Sequence, residues 1–318
     1  MKTLLAHAAL FGLLLMRNVG LGPHVHSTAT EPLTDARVAE LWTPPADLPT
    51  RNLFDGPWGE TAAPPPDATY EFVSTKDKGF SAGADVIGPD GTGWSVKIGD
   101  EAQSEVVASR IVWAIGYHQP PVYYLPRWTL AGGPAPGEQP PGRFRPKIAA
   151  LDPAGHWSWQ HNPFVGTRPY AGLVVLMMVL NNSDLGTLNN YVYRLGRPRE
   201  GAARWLVVRD LGGSLGETGY YRPRRNFIDG FERQAFIRRV EDGRVVLEYH
   251  GLEKELLKNI SVGDVRWTCG LLSRLSEQQW QDAFRAGGYS PAIAARYTRK
   301  IREKIAEGLA LPGAAIED

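Results

Sequence analysis

The chain has 318 residues, of which 43% are hydrophobic and 22% are charged, and its net charge is +1. This composition is typical of a soluble globular protein, and the length suits one two-lobed domain or two small domains. A charge so close to zero gives no global attraction for nucleic acid, so we expect no nucleic-acid partner and a local cluster wherever an anion binds. The single cysteine, Cys269, excludes an intrachain disulfide and a zinc site made of cysteines.

Two segments are expected to precede the main fold. Residues 1–29 have the pattern of a signal peptide, because Lys2 is followed by an apolar stretch from Leu4 to Met16 that is too short to cross a bilayer. We therefore expect a secreted or periplasmic protein without a transmembrane span; an ordinary N-terminal helix and a cytoplasmic location are the alternative. Residues 30–67 are rich in proline, which indicates an extended arm or a partly disordered linker.

Residues 68–150 are predicted to form a small lobe, mainly an antiparallel sheet with one helix. The segment ATYEFVSTKD alternates as a strand does, and the Pro-Asp-Gly turn at 89–91 joins two further strands. Residues 100–116 begin with acidic side chains, continue with apolar ones at helical spacing and end at a glycine, which indicates a helix. Another hairpin is expected between VYYLPRW and FRPKIAAL.

Residues 151–318 are predicted to form a larger, mainly helical lobe. Residues 152–168 look irregular, whereas 172–180 are so apolar that a buried helix is expected. The segments NYVYRL and RWLVVRDL read as two strands around the turn GRPREGA, and RVVLEYHG as a third. Residues 260–309 have a mostly helical pattern, with Ser276 suited to open one of the helices.

A lysine and an acidic helix form the first part of a candidate site. Lys97 ends the predicted strand WSVK, and Glu105 lies on the helix that follows, within reach of the lysine. Glu101 on the same helix competes for this partnership. A lysine that pairs phosphates and is held by a helical carboxylate is a component of phosphoryl-transfer sites. Taken separately, both residues are equally consistent with solvated surface charges.

Three polar residues later in the chain form the second part. Asp184 follows the apolar helix directly, and Asn189 comes five residues later. This is the interval of the kinase catalytic loop, where an Asp and an Asn face the same phosphate, although Asp and Asn are also common in turns at helix ends. Asp210 ends the strand RWLVV and begins DLG, the form of a metal-binding Asp-Phe-Gly segment.

The segments that carry these residues resemble atypical kinases. VKIGDEAQSEVVASRI resembles the lysine strand and following helix of phosphatidylinositol 3-/4-kinases, and DLGGSLG resembles their metal-binding segment. SEVVASRIVWAIGYHQPP also resembles the corresponding part of HipA-like kinases and secreted Golgi-type kinases. The resemblance covers roughly residues 70–230. It implies an α+β, two-lobed protein kinase-like fold with an ATP site between the lobes.

Roles at the phosphate end of the site follow from this resemblance. It implies that Lys97 pairs the phosphates of ATP and that Glu105 anchors the lysine. It also implies that Gly79 and Gly83 lie in a turn that covers the phosphates and so bind the cofactor.

The resemblance implies the remaining roles as well. Asp184 would be the catalytic base, and Asn189 and Asp210 would hold Mg²⁺. The expected activity is transfer of phosphate from ATP to a hydroxyl of a protein or lipid. Asn182-Ser183 stand where His-Arg is usual, and a catalytically inactive kinase-fold binding protein is therefore the first alternative.

A serine hydrolase is a further alternative. The segment GGSLG satisfies Gly-x-Ser-x-Gly with Ser214 as nucleophile, and Asp229 and His250 follow in the chain order of a triad. That motif requires a helix directly after the serine. Gly219 and Pro223 predict a loop there instead.

An arginine cluster follows the DLG segment. It consists of Arg222, Arg224 and Arg225, in the region where a kinase activation segment meets its substrate. A functional cluster would predict an acidic or phosphorylated acceptor. A solvated charge run on a loop is the equally simple interpretation.

Overall fold

The structure is a computed structural model that describes residues 33–76, 81–219 and 224–312. The predicted signal peptide, Gly79 and Arg222 lie outside the described residues. The fold is mixed α+β, as the sequence predicts, with sheets and helices on both sides of a polar cleft.

A seven-stranded sheet, called here the N-terminal sheet, forms one side of the molecule. Its order is β4-β7-β3-β2-β1-β5-β6. The strands are β1 (Thr69–Thr75), β2 (Gly83–Ile87), β3 (Gly93–Ile98), β4 (Tyr123–Leu125), β5 (Trp128–Ala131), β6 (Gly137–Gln139) and β7 (Gly142–Pro146). Neighbours are antiparallel except β1 and β5, which pair in parallel. The sheet is therefore mainly antiparallel, as predicted, and the long chain between β1 and β5 leaves room for the crossover that their parallel pairing requires.

Helix α2 (Glu101–Ala114) packs against β3, β4 and β7 and is the helix predicted at 100–116. Nearly all its residues are buried, including the polar Glu105, so it is a core helix rather than an amphipathic surface helix. The helix ends before Gly116, whose φ is +103° and whose added Cβ would lie 2.2 Å from the Thr43 carbonyl oxygen. Only glycine fits both requirements.

The other side of the cleft carries a second sheet and the remaining helices. The sheet has the order β10-β9-β8. Its strands are β8 (Leu151–His156), β9 (Asn190–Arg199) and β10 (Ala202–Val208), and a separate hairpin consists of β11 (Ile237–Glu241) and β12 (Arg244–Leu247). The helices are α3 (Arg168–Val179), α4 (Ile228–Arg233), α5 (Val262–Leu272), α6 (Glu277–Ala286) and α7 (Pro291–Leu309).

Several sequence predictions for this side are confirmed. Helix α3 covers the apolar run, and its residues from Gly172 to Val179 are all buried. Strands β9 and β10 are the predicted pair, and Ser276 caps α6 by accepting a hydrogen bond from the Gln279 amide. The prediction that 152–168 is irregular is wrong at β8, because pairing with β9 overrides a sequence that contains proline and glycine.

The segment before β1 packs on the fold as a structured element. It contains the short helix α1 (Asp35–Val38), and Leu41, Leu48 and Leu53 are buried in the main hydrophobic core. The Gln279 side chain donates hydrogen bonds to the Leu48 and Arg51 carbonyl oxygens, at 2.7 and 3.1 Å. A disordered linker is therefore excluded for residues 33–67. Among the described residues, no helix has the length and apolar character needed to span a membrane.

Candidate active site

Strand β3 carries Lys97 to the edge of the central cleft, a cavity of about 330 Å³ between the N-terminal sheet and β9–β10. Lys97 pairs in register with Gly83 on β2 and with Arg143 on β7. A Cβ on Gly83 would lie only 2.3 Å from the Val96 carbonyl oxygen, so a larger residue would push β2 away from β3. Gly83 therefore serves the backbone geometry that orients Lys97.

The Lys97 ammonium is the meeting point of three carboxylates. Its Nζ atom lies 2.9 Å from Glu105 Oε2, 3.0 Å from Glu101 Oε2 and 2.8 Å from Asp210 Oδ1. Burial would lower the pKa of Lys97, but Glu105 and Asp210 outweigh it and raise the pKa above its ordinary value. The lysine is therefore a fixed cation between α2 and the end of β10.

Glu105 anchors more than the lysine. Its carboxylate is almost completely buried and also lies 2.9 Å from Arg143 Nε and 2.5 Å from Arg145 Nη2. Burial would raise the pKa of Glu105, but Arg143, Lys97 and Arg145 together hold it well below its usual range. Glu101 also contacts Lys97, so the sequence-level choice between the two glutamates does not arise, and Glu101 is additionally paired with Arg225 and Ser81.

The segment after α3 positions Asp184 on the opposite wall. Asn181 has a positive φ of 49°, which turns the chain out of the helix. The Asp184 amide then donates to Asn182 Oδ1 at 2.8 Å. Burial and the nearby Asp210 carboxylate raise the pKa of Asp184 above its ordinary value. A second carboxylate so close also makes the site favourable for a cation.

Backbone hydrogen bonds join Asn189 to Asp210. The Asn189 carbonyl oxygen accepts from the Arg209 amide at 2.9 Å and from the Asp210 amide at 3.4 Å. Asn189 Nδ2 lies 3.5 Å from the Asp184 carbonyl oxygen. The structure thus brings four predicted residues to the lining of one cleft, namely Lys97, Asp184, Asn189 and Asp210. Glu105 lies buried behind Lys97, in contact with its ammonium.

The two glycines after Asp210-Leu211 allow this close packing. A Cβ on Gly212 would lie 2.7 Å from the Glu101 Cβ, and one on Gly213 would lie 3.0 Å from the Asp184 Cβ. The Gly212 carbonyl oxygen also accepts a hydrogen bond of 2.9 Å from Ser104 Oγ on α2. The DLGG segment is therefore held against both α2 and the Asp184 turn.

The donor set suits magnesium. Mg²⁺ prefers carboxylate and amide oxygens and is commonly held by one or two carboxylates together with substrate phosphates. Asp210 is partly exposed to the cleft, and the Asn189 side chain lines the same cavity. The carboxylates of Asp184 and Asp210 repel each other, and a bound cation would relieve that repulsion.

Four cationic residues of the cleft escaped sequence reasoning. They are Lys76, Arg143, Arg145 and Arg209. Arg143 and Arg145 are two residues apart in β7 and therefore lie on the same face of the strand. This spacing is equally typical of an exposed strand face. Their burial becomes visible only when β7 pairs with β3 and α2 covers both.

The predicted arginine cluster is divided. Arg225 lines the cleft and pairs with Glu101, while Arg224 is exposed and its guanidinium lies 4.8 Å from the Phe227 ring centre. Arg224 and Arg225, the two described members of the cluster, therefore do not form one continuous basic surface. An acidic acceptor remains a prediction.

The geometry does not support a hydrolase site. Ser214 is fully buried, begins no helix, and its Oγ has no hydrogen-bond partner among the described residues. His250 pairs with Glu248, and Asp229 pairs with Arg296. Neither residue is therefore paired with Ser214, as a catalytic triad would require.

No protein-family model matches the chain, and no curated protein matches its sequence. Among solved structures, the chain is similar to a proinflammatory kinase of Helicobacter pylori, CtkA, with a TM-score of 0.47 and 12% sequence identity. The similarity covers 77% of this chain and 98% of that one. A similarity of this degree identifies neither a family nor an activity, and the functional argument therefore rests on the cleft itself.

Proposed function

We propose that this protein is a kinase-like phosphotransferase that uses ATP and Mg²⁺ to phosphorylate a hydroxyl group of a protein or lipid. The observation that carries the proposal is the junction at Lys97. One ammonium contacts a helical glutamate behind it and the aspartate at the end of β10 in front of it, and Asp184 and Asn189 lie across the same cavity. Phosphoryl transfer needs these side chains and little else.

The roles follow from position and charge. Lys97 would pair the phosphates of the donor, and Glu105 would hold the lysine in place against its own burial. Asn189 and Asp210 would hold the magnesium, which neutralises negative charge on the donor phosphates when bound. Gly83, and Gly79 outside the described residues, would belong to the backbone that approaches those phosphates.

Asp184 would orient the acceptor. Its carboxylate accepts the proton of the acceptor hydroxyl as the hydroxyl oxygen bonds to the terminal phosphorus of ATP and the bond from that phosphorus to the ADP oxygen breaks. The raised pKa of Asp184, caused by burial and by Asp210, makes it a better proton acceptor than an exposed aspartate. Positioning and charge stabilisation supply most of the rate.

A catalytically inactive kinase-fold binding protein is the second candidate. The observation that favours it is the direct Lys97–Asp210 ion pair at 2.8 Å, since a metal must compete with the lysine for the same carboxylate. Leu211 also stands where the resembling kinases have an aromatic residue. This candidate predicts ligand binding without phosphate transfer.

An ATP turnover assay separates the two candidates. The purified protein is incubated with Mg-ATP and mixed protein or lipid acceptors, and ADP formation is measured beside Asp210→Ala and Asp152→Ala. Asp152 is an exposed aspartate on β8 and serves as the matched control. We expect turnover in the control and none in Asp210→Ala. Equal turnover in both variants would exclude the metal role of Asp210.

Export remains a prediction that rests on the sequence of residues 1–29. Expression of the full chain in a bacterial host followed by N-terminal sequencing of the recovered protein tests it. Cleavage within or just after this segment is expected. An intact N-terminus in the cytoplasmic fraction would favour the alternative location.

A further inference from the structure

We propose that the middle of the cleft contains an anion subsite, built by Arg209, Arg145 and Lys76, that binds a phosphate group in addition to those at the Lys97 end. The proposal rests on the proposed function, which assigns the Lys97 end of the cleft to the phosphates of ATP. It further specifies the kind of ligand, a molecule whose phosphates extend along the length of the cleft.

The subsite lies where two cavities meet. The central cleft of about 330 Å³ adjoins a second cavity of about 560 Å³ bounded by the chain segment after β7. The two cavities share four lining residues, namely Lys76, Ser95, Arg145 and Arg209. A ligand that extends from Asp210 towards the second cavity must therefore pass these three cationic side chains.

Arg209 is the most informative of them. Its side chain forms no ion pair with any residue in the described part of the chain, and its Nε atom is buried without a hydrogen-bond partner. The guanidinium lies 4.3 Å from the Tyr191 ring centre, so the aromatic ring fixes one face and leaves the edge to the cavity. Burial and the neighbouring Arg145 lower the pKa of Arg209, which is the response of a cation without a counterion.

The nearby carboxylates are already shared. Arg145 contacts Glu105, but that carboxylate also contacts Arg143 and Lys97. Lys76 lies 3.6 Å from Asp85, which is closer to Lys147, at 2.8 Å. Burying a cation is unfavourable unless an anion accompanies it. The group of cations therefore lacks negative charge that a ligand can supply.

A phosphate group suits these hydrogen-bond donors better than the uncharged aromatic base of a nucleotide does. Arginine presents a planar fork of donors that matches the oxygens of phosphate, and lysine adds a point charge. In their charged forms all three side chains donate hydrogen bonds and accept none, so an aromatic ligand group without acceptor atoms would leave them unpaired. The expected ligand is therefore a phosphate-rich molecule, either an inorganic phosphate chain or a nucleotide whose phosphates reach the middle of the cleft.

Isothermal titration of the protein with inorganic tripolyphosphate in EDTA tests the subsite without the metal. We compare wild type with Arg209→Gln and with Arg197→Gln, an exposed arginine on β9 that gives the same change in charge. A charge-assisted hydrogen bond predicts a loss of affinity of about 10- to 100-fold in Arg209→Gln. Less than a twofold change is expected in Arg197→Gln. No binding at millimolar ligand, or equal affinity in the two variants, would overturn the proposal.

Further arms separate the ligand sources and the two proposals. If tripolyphosphate binds more strongly than ATP and adenosine does not bind, the ligand of the subsite is an inorganic phosphate chain. If ATP binds more strongly and its affinity still depends on Arg209, the ligand is a nucleotide. ATP affinity that is unchanged in Arg209→Gln excludes a nucleotide as the ligand of the subsite, and unchanged tripolyphosphate affinity in the same variant excludes the subsite itself. Lys76→Met provides a second test should Arg209→Gln fold poorly. Asp210→Ala retains tripolyphosphate binding if the subsite is real, so loss of turnover in that variant bears only on the proposed function.

Discussion

At the residue scale, the site depends on a single carboxylate that serves three cations. Glu105 is almost completely buried on α2 and contacts Lys97, Arg143 and Arg145. Each contact crosses from the helix to a strand of the N-terminal sheet, so Glu105 joins α2 to β3 and β7. Its loss would leave three buried cations without their shared partner.

Glu105→Gln tests this dependence, since glutamine keeps the volume and removes the charge. We expect the free energy of unfolding to fall by about 3–5 kcal/mol, the range for breaking a buried ion pair from one side. Urea denaturation of both proteins measures it. The control is Glu241→Gln, which removes an exposed pair with Arg239 and should change stability by about 0–1 kcal/mol. Equal effects of the two substitutions would contradict the role of Glu105.

Lys76 gives the anion subsite a pH dependence. Burial, assisted by Arg143, lowers its pKa to about 8, while Asp85 opposes the shift and Arg145 and Arg209 add to it. The cation is present below this pKa and is lost as pH rises through it.

Tripolyphosphate affinity should therefore fall between about pH 7 and pH 9, where the Lys76 charge is lost. Titration calorimetry at several pH values measures it. Tripolyphosphate itself titrates in the same way in an experiment with Lys76→Met, which lacks the lysine. The affinity of this variant should therefore change less with pH than that of wild type. Parallel profiles for the two proteins would show that Lys76 is not part of the subsite.

The cationic lining is the part of the site that the sequence could not predict. Lys97, Glu105, Asp184, Asn189 and Asp210 follow from spacing along the chain and from the resemblance to kinases. Arg145 and Arg209 have no such motif. Their importance comes from burial and from a shortage of carboxylates, and both depend on strands that are far apart in sequence.

At the element scale, the pairing of β2 with β3 determines where Lys97 points. Gly83 sits opposite Lys97 in this pair, and the Val96 carbonyl oxygen occupies the space that a side chain would need. Gly93 begins β3, and a Cβ added to it would lie 3.5 Å from the flexible Lys147 side chain, an ordinary contact distance. The two glycines of the same sheet thus differ in how much they constrain it.

Gly83→Ala should therefore weaken ligand binding, whereas Gly93→Ala should not. We expect Gly83→Ala to lower the free energy of unfolding by about 1–3 kcal/mol, as overpacked sites do, and to reduce tripolyphosphate affinity by displacing β2. Gly93→Ala should be within about 1 kcal/mol of wild type. Thermal denaturation and titration calorimetry report both effects. Unchanged stability and affinity in Gly83→Ala would contradict this account of Lys97 orientation.

Local sequence patterns were sufficient to predict the elements that have a regular hydrophobic periodicity or an unusually apolar composition. Helices α2 and α3 and the β9–β10 pair were predictable for this reason. Strand β8 was not, because LDPAGH has neither alternation nor strand-forming residues, and its conformation comes from pairing with β9. The parallel β1–β5 pair was equally hidden, since register between distant segments leaves no local signal.

At the scale of the whole molecule, the segment before the N-terminal sheet is bound to the rest of the fold. Leu48 is fully buried beside the helices of the second side, and α6 holds its backbone through Gln279. The proline-rich composition left an extended arm and a partly disordered linker both open, because it says nothing about where the interspersed leucines are buried. This segment instead covers the core that supports α2.

Leu48→Ala measures this contribution. Truncation of a buried leucine should lower the free energy of unfolding by about 2–5 kcal/mol. Leu252 is largely exposed, so Leu252→Ala should be within about 0.5 kcal/mol of wild type. Chemical denaturation compares the two. A negligible effect of Leu48→Ala would mean that this segment behaves as a linker and not as an arm packed on the fold.

The central claim is that opposite walls of the cleft together bind a metal-bound phosphate donor. The chain has almost no net charge, so the ligand must be recognised by the local arrangement of Lys97, Asp184 and Asp210 rather than by a global field. Such a ligand binds only the folded protein and therefore raises its melting temperature.

The most direct test is the melting temperature with ATP, with and without Mg²⁺, for wild type, Lys97→Ala, Asp210→Ala and the exposed control Asp152→Ala. The account predicts a Mg²⁺-dependent rise of several degrees, beyond any rise that ATP gives in EDTA, in wild type and in Asp152→Ala, and it predicts that this Mg²⁺-dependent rise is absent in the other two variants. No Mg²⁺-dependent rise at millimolar ATP in the wild-type protein, or an equal one in all four, would contradict it.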